Sequence, residues 1–381
     1  MPQWRGWWLA MLAGWSLLCL VHCSDSGLDD NVSEVQTSAE PTAVELGLRL
    51  APTGLNVAGL PPAVVEQVAR GSYIVNGVGE CFSCHTTPTG YLAGGLEFPM
   101  PFADVQGFTS VFSRNLTPDP ETGLQLTEDE FIEAIRTGKD FTDSTAADPQ
   151  QLIIMPWHIY RFMARDDLKA LYAFLRRLPP VRNAIRKTFK PPFPFPPVPF
   201  PPLGDADPMN NPINAQRGLL IPQFFSSGPE ATTFMTQFNT AVAGLTPDAQ
   251  AQVGRGSYLV NAIGACNDCH TAPPGGLIPM TVDVNTAAYL AGGVDIGSFL
   301  GLKPIFSRNL TPDPGTGLLL TEEQFIQTLR FAVDFRRPPG SSLRVPPHFP
   351  VEFRLTLDDL KAVYAYLRAI PAVVNPVVIG P

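Results

Sequence analysis

The chain has 381 residues, 45% hydrophobic and 16% charged, with 41 prolines, six cysteines and a formal net charge of −9. That length exceeds one small domain and suits two or three, and the acidic balance argues against non-specific nucleic-acid binding. The many prolines imply long loops between short elements, and no cysteine pair is left over for a structural disulfide: Cys19 and Cys23 end an N-terminal apolar run, and the other four fall in two motifs.

Residues 1–23 have the layout of an export leader. Arg5 supplies the positive start and Gly6 to Val21 is an uninterrupted apolar run. Leu20-Val21-His22-Cys23 resembles a bacterial lipobox, which puts a lipid on Cys23. An ordinary cleaved signal and an uncleaved anchor are the alternatives. All three place the bulk of the chain outside the cytoplasm, in the periplasm or cell envelope, and the lipid or the uncleaved anchor would tie it to the membrane at its N-terminus. No later run is long and apolar enough to span a bilayer. Residues 24–58 are polar and acidic and read as a flexible spacer.

A first unit covers 59–185. Pro61-Pro62 opens a helix that runs through Val65, Val68, Tyr73 and Val75, and Gly71 in its middle marks a close helix approach. Next comes Cys81-Phe82-Ser83-Cys84-His85. Cysteines three apart on a helical turn face one side, and each can form a thioether to one haem vinyl group. The histidine that follows then lies under the ring and can bind the iron, the pattern of covalent c-type haem attachment. Phe112 to Pro120 is a turn-rich loop, Thr127-Glu128-Asp129-Glu130 matches a capping box, and a last helix runs from about Asp166 to Arg177.

Residues 186–240 read as a proline-rich linker, because Lys190 to Leu203 is a proline run broken by phenylalanine and valine. A second unit, 241–375, repeats the first. Cys266-Asn267-Asp268-Cys269-His270 repeats the haem motif, and Arg255-Gly256-Ser257-Tyr258 echoes Arg70-Gly71-Ser72-Tyr73. Phe306 to Pro314 is identical to Phe112 to Pro120, and Asp358-Asp359-Leu360-Lys361-Ala362 repeats the start of the last helix. A duplication this clear argues for one shared fold. Each unit has a modest core for its loop content, and a haem would supply the missing apolar centre.

The string C-x-x-C-H-T, then Gly-Gly, N-L-T-P-D-P-x-T-G, Met-Pro and D-D-L-K-A-x-Y-A-x-L-R-x-x-P is similar to class I cytochrome c. It most resembles the multihaem cytochrome c subunits of membrane-bound alcohol, gluconate and sorbitol dehydrogenases. The resemblance implies an all-α protein of two tandem class I cytochrome c domains joined by the proline-rich linker, after the leader. It implies two covalently bound haem c groups, and electron transfer between a redox protein donor, such as a membrane-bound dehydrogenase, and a respiratory acceptor. Those subunits usually carry three haem domains, whereas two motifs are present here.

Cys81, Cys84, Cys266 and Cys269 are the attachment residues, and His85 and His270 the proximal iron ligands. The sixth ligand in class I cytochromes is usually a methionine just before the last helix. Met155-Pro156 stands there in the first unit; core filling is its other reading, and Met100 and Met163 are less well placed. The second unit has no methionine after Met280, so His348 is the nearest ligand type. An open iron, Met280, or a loop histidine without iron contact are the alternatives. Histidine in place of methionine lowers a haem potential, so the second haem is expected below the first. Arg114, Asn115, Arg308 and Asn309 either hydrogen-bond haem propionates or pin the covering loop, and His158 reads as a supporting residue.

An electron-transfer module needs no substrate pocket and no catalytic residue. A dihaem peroxidase with an open second haem is the enzymatic alternative, but no acid/base constellation near Cys266 supports it. Zinc binding or dithiol redox chemistry is the third reading. It is weakened because the C-x-x-C pairs sit in separate repeats and lack a βαβ setting.

Overall fold

The computed structural model describes residues 40–99, 110–142, 152, 154–186, 215–224, 228–272, 284–299, 303–343 and 354–377. The expected leader, the run Lys190 to Leu203, Met100, Met280 and His348 lie outside these residues. Residues Glu40–Pro381 form one compact unit.

The unit is predominantly helical. Thr42 opens α1 (Ala43–Leu50) with a reciprocal capping box to Glu45. The expected spacer therefore ends in a helix: the Ser72 hydroxyl donates to the Gly47 carbonyl at 2.7 Å, seating α1 on the next helix. That helix, α2 (Pro62–Tyr73), starts with proline at its first turn, where a missing N–H costs nothing, and continues into a π-helical segment, Ile74–Val78. The i→i+5 bond from Gly79 N–H to Ile74 O, 2.8 Å, closes it. Then follow α3 (Cys81–His85), α4 (Glu128–Thr137), α5 (Trp157–Tyr160) and α6 (Arg165–Leu175). Helices α2 and α6 cross at Gly71, where a Cβ would run into the Ala170 carbonyl and the Phe174 side chain. Arg70 locks the crossing with a bidentate pair to Asp167 at 2.9 and 3.0 Å.

The same order recurs. α9 (Pro247–Tyr258) runs into the π-helical segment Leu259–Ile263, followed by α10 (Cys266–His270), α12 (Glu322–Phe331) and α13 (Leu357–Ala369). Gly256 meets the Ala362 carbonyl, and Arg255 grips Asp359 at 2.8 and 3.0 Å. A short helix α11 (Ile296–Phe299) falls between α10 and α12.

One feature departs from the sequence reading. Residues assigned to the linker form α7 (Ala215–Leu220) and α8 (Pro229–Ala243). α7 lies on α9 as α1 lies on α2, with the Ser257 hydroxyl donating to Gly218 O at 2.7 Å. α8 buries Ala231, Phe234, Phe238 and Val242 on one helical face, and its Phe234 and Phe238 rings meet Tyr289 and Tyr366 edge-on at 5.3 and 5.8 Å. The helical character agrees with an all-α fold, with one small addition. β1 (Glu97–Pro99) and β2 (Ser110–Phe112) make a short antiparallel ribbon. Buried side chains from both repeats merge into a single apolar core that includes Val68, Leu168, Phe174, Phe238, Leu259 and Leu360. No helix among the described residues is long and apolar enough to cross a membrane.

Candidate haem-attachment sites

Each C-x-x-C-H stretch forms one helical turn, α3 or α10, so its two sulfurs share a face. The residue before each turn is left-handed, Glu80 at φ 49° and Ala265 at φ 47°. A side chain there costs about 1–2 kcal/mol, and the same cost appears at both sites. The kink turns the cysteine-bearing turn away from the π-helical segment. None of the four cysteines pairs in a disulfide, and all are partly buried. Burial pushes Cys81, Cys266 and Cys269 up to about 12 and Cys84 to about 11. Redox-active thiols carry lowered pKa values, so these make poor exchange nucleophiles. Among the described residues no three His, Cys, Asp or Glu side chains gather to hold a metal ion, so the zinc reading gains nothing.

The histidines are set for one role. His85 Nδ1 lies 2.7 Å from the Arg114 carbonyl, and His270 Nδ1 lies 2.8 Å from the Arg308 carbonyl. A carbonyl only accepts, so Nδ1 donates and, in the neutral ring, Nε2 keeps its lone pair. Burial pushes both imidazoles down, which favours that neutral form, although the carbonyl bond works the other way. An oriented neutral imidazole with a free Nε2 is what iron ligation requires, and the residues present fit a covalently held haem.

The loop that carries the accepting carbonyl is fixed on both sides. Gly94 N–H donates to His85 O at 2.7 Å, with φ 71°. A Cβ there would strike the Arg114 carbonyl carbon, and Gly292 repeats the arrangement against Arg308. The threonine after each motif ties in the next loop, Thr86 Oγ1 accepting from Leu92 N–H at 3.1 Å and Thr271 Oγ1 from Leu290 N–H at 2.9 Å. Asn115 and Asn309 are loop pins: each donates to a carbonyl after the last helix, Val181 O or Val373 O, at 2.8 Å. The Arg114 side chain bonds Asp140 at 3.1 Å, and Arg308 forks Asp334 through both terminal nitrogens at 2.9 and 2.5 Å.

Met155 is partly buried at the edge of the core, just before α5, whereas Met163 is enclosed within the core. His158 reaches across to the second motif, Nε2 lying 3.1 Å from Asp268 Oδ1. Sequence reasoning missed Glu80. Its Oε1 is buried without a hydrogen-bond partner among the described residues, and burial pushes its carboxyl up to about 8 against the pull of Arg354. It also missed the buried tyrosines Tyr73 and Tyr258, although both end a repeated Arg-Gly-Ser-Tyr string.

Each turn thus brings two cysteines and an oriented histidine together, a donor set of the kind that covalent haem attachment uses, and the relatives are cytochrome c subunits. No family model matches the chain. It is 27% identical over 313 residues to the cytochrome c subunit of alcohol dehydrogenase (quinone) from Gluconobacter oxydans, covering 80% of this chain and 55% of the relative. It is 28% identical to the gluconate 2-dehydrogenase cytochrome c subunit of Pantoea cypripedii, covering 80% and 60%. With the fructose dehydrogenase cytochrome subunit of Gluconobacter japonicus it shares 27% identity, covering 87% and 59%. The chain thus resembles the cytochrome c subunits of alcohol, gluconate and fructose dehydrogenases over most of its length, and spans 55% to 60% of the length of these relatives.

Proposed function

We propose that the chain is an electron-transfer subunit with two haem c groups, one held by Cys81, Cys84 and His85 and the other by Cys266, Cys269 and His270. The observation that carries this reading is the matched pair of Nδ1-to-carbonyl bonds, which presents a lone pair at Nε2 in both repeats. Bound haem supplies a one-electron iron couple. The protein's part is to orient each histidine, to hold the covering loop through Asn115 or Asn309, and to shield the site with apolar side chains. Met155 serves as sixth ligand of the first haem and His348 as that of the second, which places the second haem at the lower potential. The names of the relatives support a dehydrogenase as donor; the apolar run before Cys23 supports a lipid-anchored position in the bacterial cell envelope.

The test is a mass measurement on full-length protein matured with haem-attachment machinery. Two haems per chain survive acidified acetone. Cys81→Ala combined with Cys84→Ala leaves one. Bare-polypeptide mass in the unsubstituted protein overturns the reading. Met155→Ala is expected to lower one midpoint potential and leave the other in place, read by redox titration.

A further inference from the structure

The two repeats exchange buried tyrosine hydroxyls. Tyr73 donates to Asp359 Oδ2 at 2.6 Å and accepts from Thr356 N–H at 3.2 Å, both in the other repeat. Tyr258 donates to Asp167 Oδ2 at 2.7 Å and accepts from Ala164 N–H at 2.9 Å. Each aspartate is already forked by the arginine of its own repeat, Asp167 by Arg70 and Asp359 by Arg255. The result is two Tyr–Asp–Arg bolts. Tyr73 and Tyr258 are at most 1% exposed, and Asp167 and Asp359 are 2% and 5% exposed. Burial alone pushes the Asp359 carboxyl up, but Arg255 and the Tyr73 hydroxyl hold it below its ordinary value.

Each bolt sits at the root of a haem turn. Tyr73 ends α2 and Tyr258 ends α9, and in both cases the π-helical segment then leads to the first cysteine over the same number of residues. The two π-helical segments meet: a Cβ on Gly264 would lie 3.4 Å from Val78, and one on Gly79 would lie 3.5 Å from Ile263. His158 of the first repeat touches Asp268 in the second turn, and the Arg354 guanidinium lies 5.9 Å from the centre of the Phe82 ring in the first turn. Buried ion pairs add little net stability over apolar packing, and their best-attested use is to select one register. Each ion pair lies within its own repeat, and the tyrosine hydroxyl that reaches it from the other repeat is the link that ties the two roots together.

We propose that Tyr73 and Tyr258 are positioning residues that clamp the two haem-bearing turns side by side as one rigid pair for electron passage between them. This rests on the reading that both turns carry haem. The experiment uses the full chain, with haem counted by mass before anything else. Tyr73→Phe combined with Tyr258→Phe is compared with Tyr172→Phe, whose hydroxyl bonds Leu126 O inside its own repeat. The readouts are protection of the Thr356 and Ala164 amides from hydrogen exchange, the haem–haem dipolar interaction in EPR, and the rate of internal electron equilibration after rapid one-electron reduction. The double variant is expected to keep two haems, lose protection at both amides, weaken the dipolar interaction and slow internal transfer. Tyr172→Phe should leave all of these at the unsubstituted values. Where the double variant does not fold, Tyr73→Phe alone is read at Thr356 and by the dipolar interaction. Two haems with unchanged dipolar interaction and transfer rate overturn the clamp and leave the haem reading standing. Fewer than two haems in the unsubstituted protein sinks the haem reading itself.

Discussion

At the scale of single residues, backbone carbonyls decide the chemistry of the histidines, and a buried carboxyl sets a pH response. Glu80 rises from an ordinary 4.5 to about 8 because it is desolvated beside Cys81. Its folded form holds a proton that the unfolded chain releases above about 4.5. Stability from this group is therefore greatest at low pH, declines as pH rises from about 4.5 to about 8, and is flat beyond. Glu80→Gln should remove that decline, measured as the urea midpoint across the same pH range. Helix α12 ends at Ala332 with φ 54°, where its counterpart α4 ends at Gly138 with φ 73°. Ala332→Gly is expected to stabilise by about 1 kcal/mol. Gly138→Ala should cost about 2 kcal/mol or more, because the new methyl also enters the Trp157 indole. Both are read by denaturant titration.

Among elements, those that announced themselves by local chemistry were readable. The capping box at Thr127 and Glu130 and the Asp-rich start of α6 and α13 needed no tertiary information, and the C-x-x-C-H turns followed from five residues each. α1 and α7 were hidden, being short and stabilised mainly by a neighbouring helix rather than by propensity. α8 was masked by the proline run before it, although Phe234 and Phe238 stand one turn apart. The π-helical segments leave no sequence period to find. At the candidate site, the two cysteine–histidine motifs were plain, while the carbonyl acceptors and the Tyr–Asp bolts join residues up to 286 positions apart, a pairing that no local pattern encodes. The helix crossings give a direct check. Gly71→Ala and Gly256→Ala each push a methyl into a facing carbonyl. Each should cost about 1–3 kcal/mol or more, seen as a lower melting temperature.

For the molecule as a whole, the merged core and the crossed bolts make the repeats energetically dependent. Thermal unfolding followed by helix content and by haem absorbance is expected to give one coincident transition; two separated transitions would mean that each repeat holds together alone. The crossed tyrosines also bear on symmetry. Tyr73 reaching Asp359 while Tyr258 reaches Asp167 is self-complementary contact about a two-fold axis, the geometry by which identical subunits pair. A single repeat carries both the hydroxyl and the carboxylate, so two copies of one repeat have everything this contact needs. The halves are not identical: Tyr366 joins a hydrogen-bonded cluster with Asn261 and Tyr289, whereas the first half keeps the Tyr91–Asn76 bond but has Phe174 in place of that tyrosine.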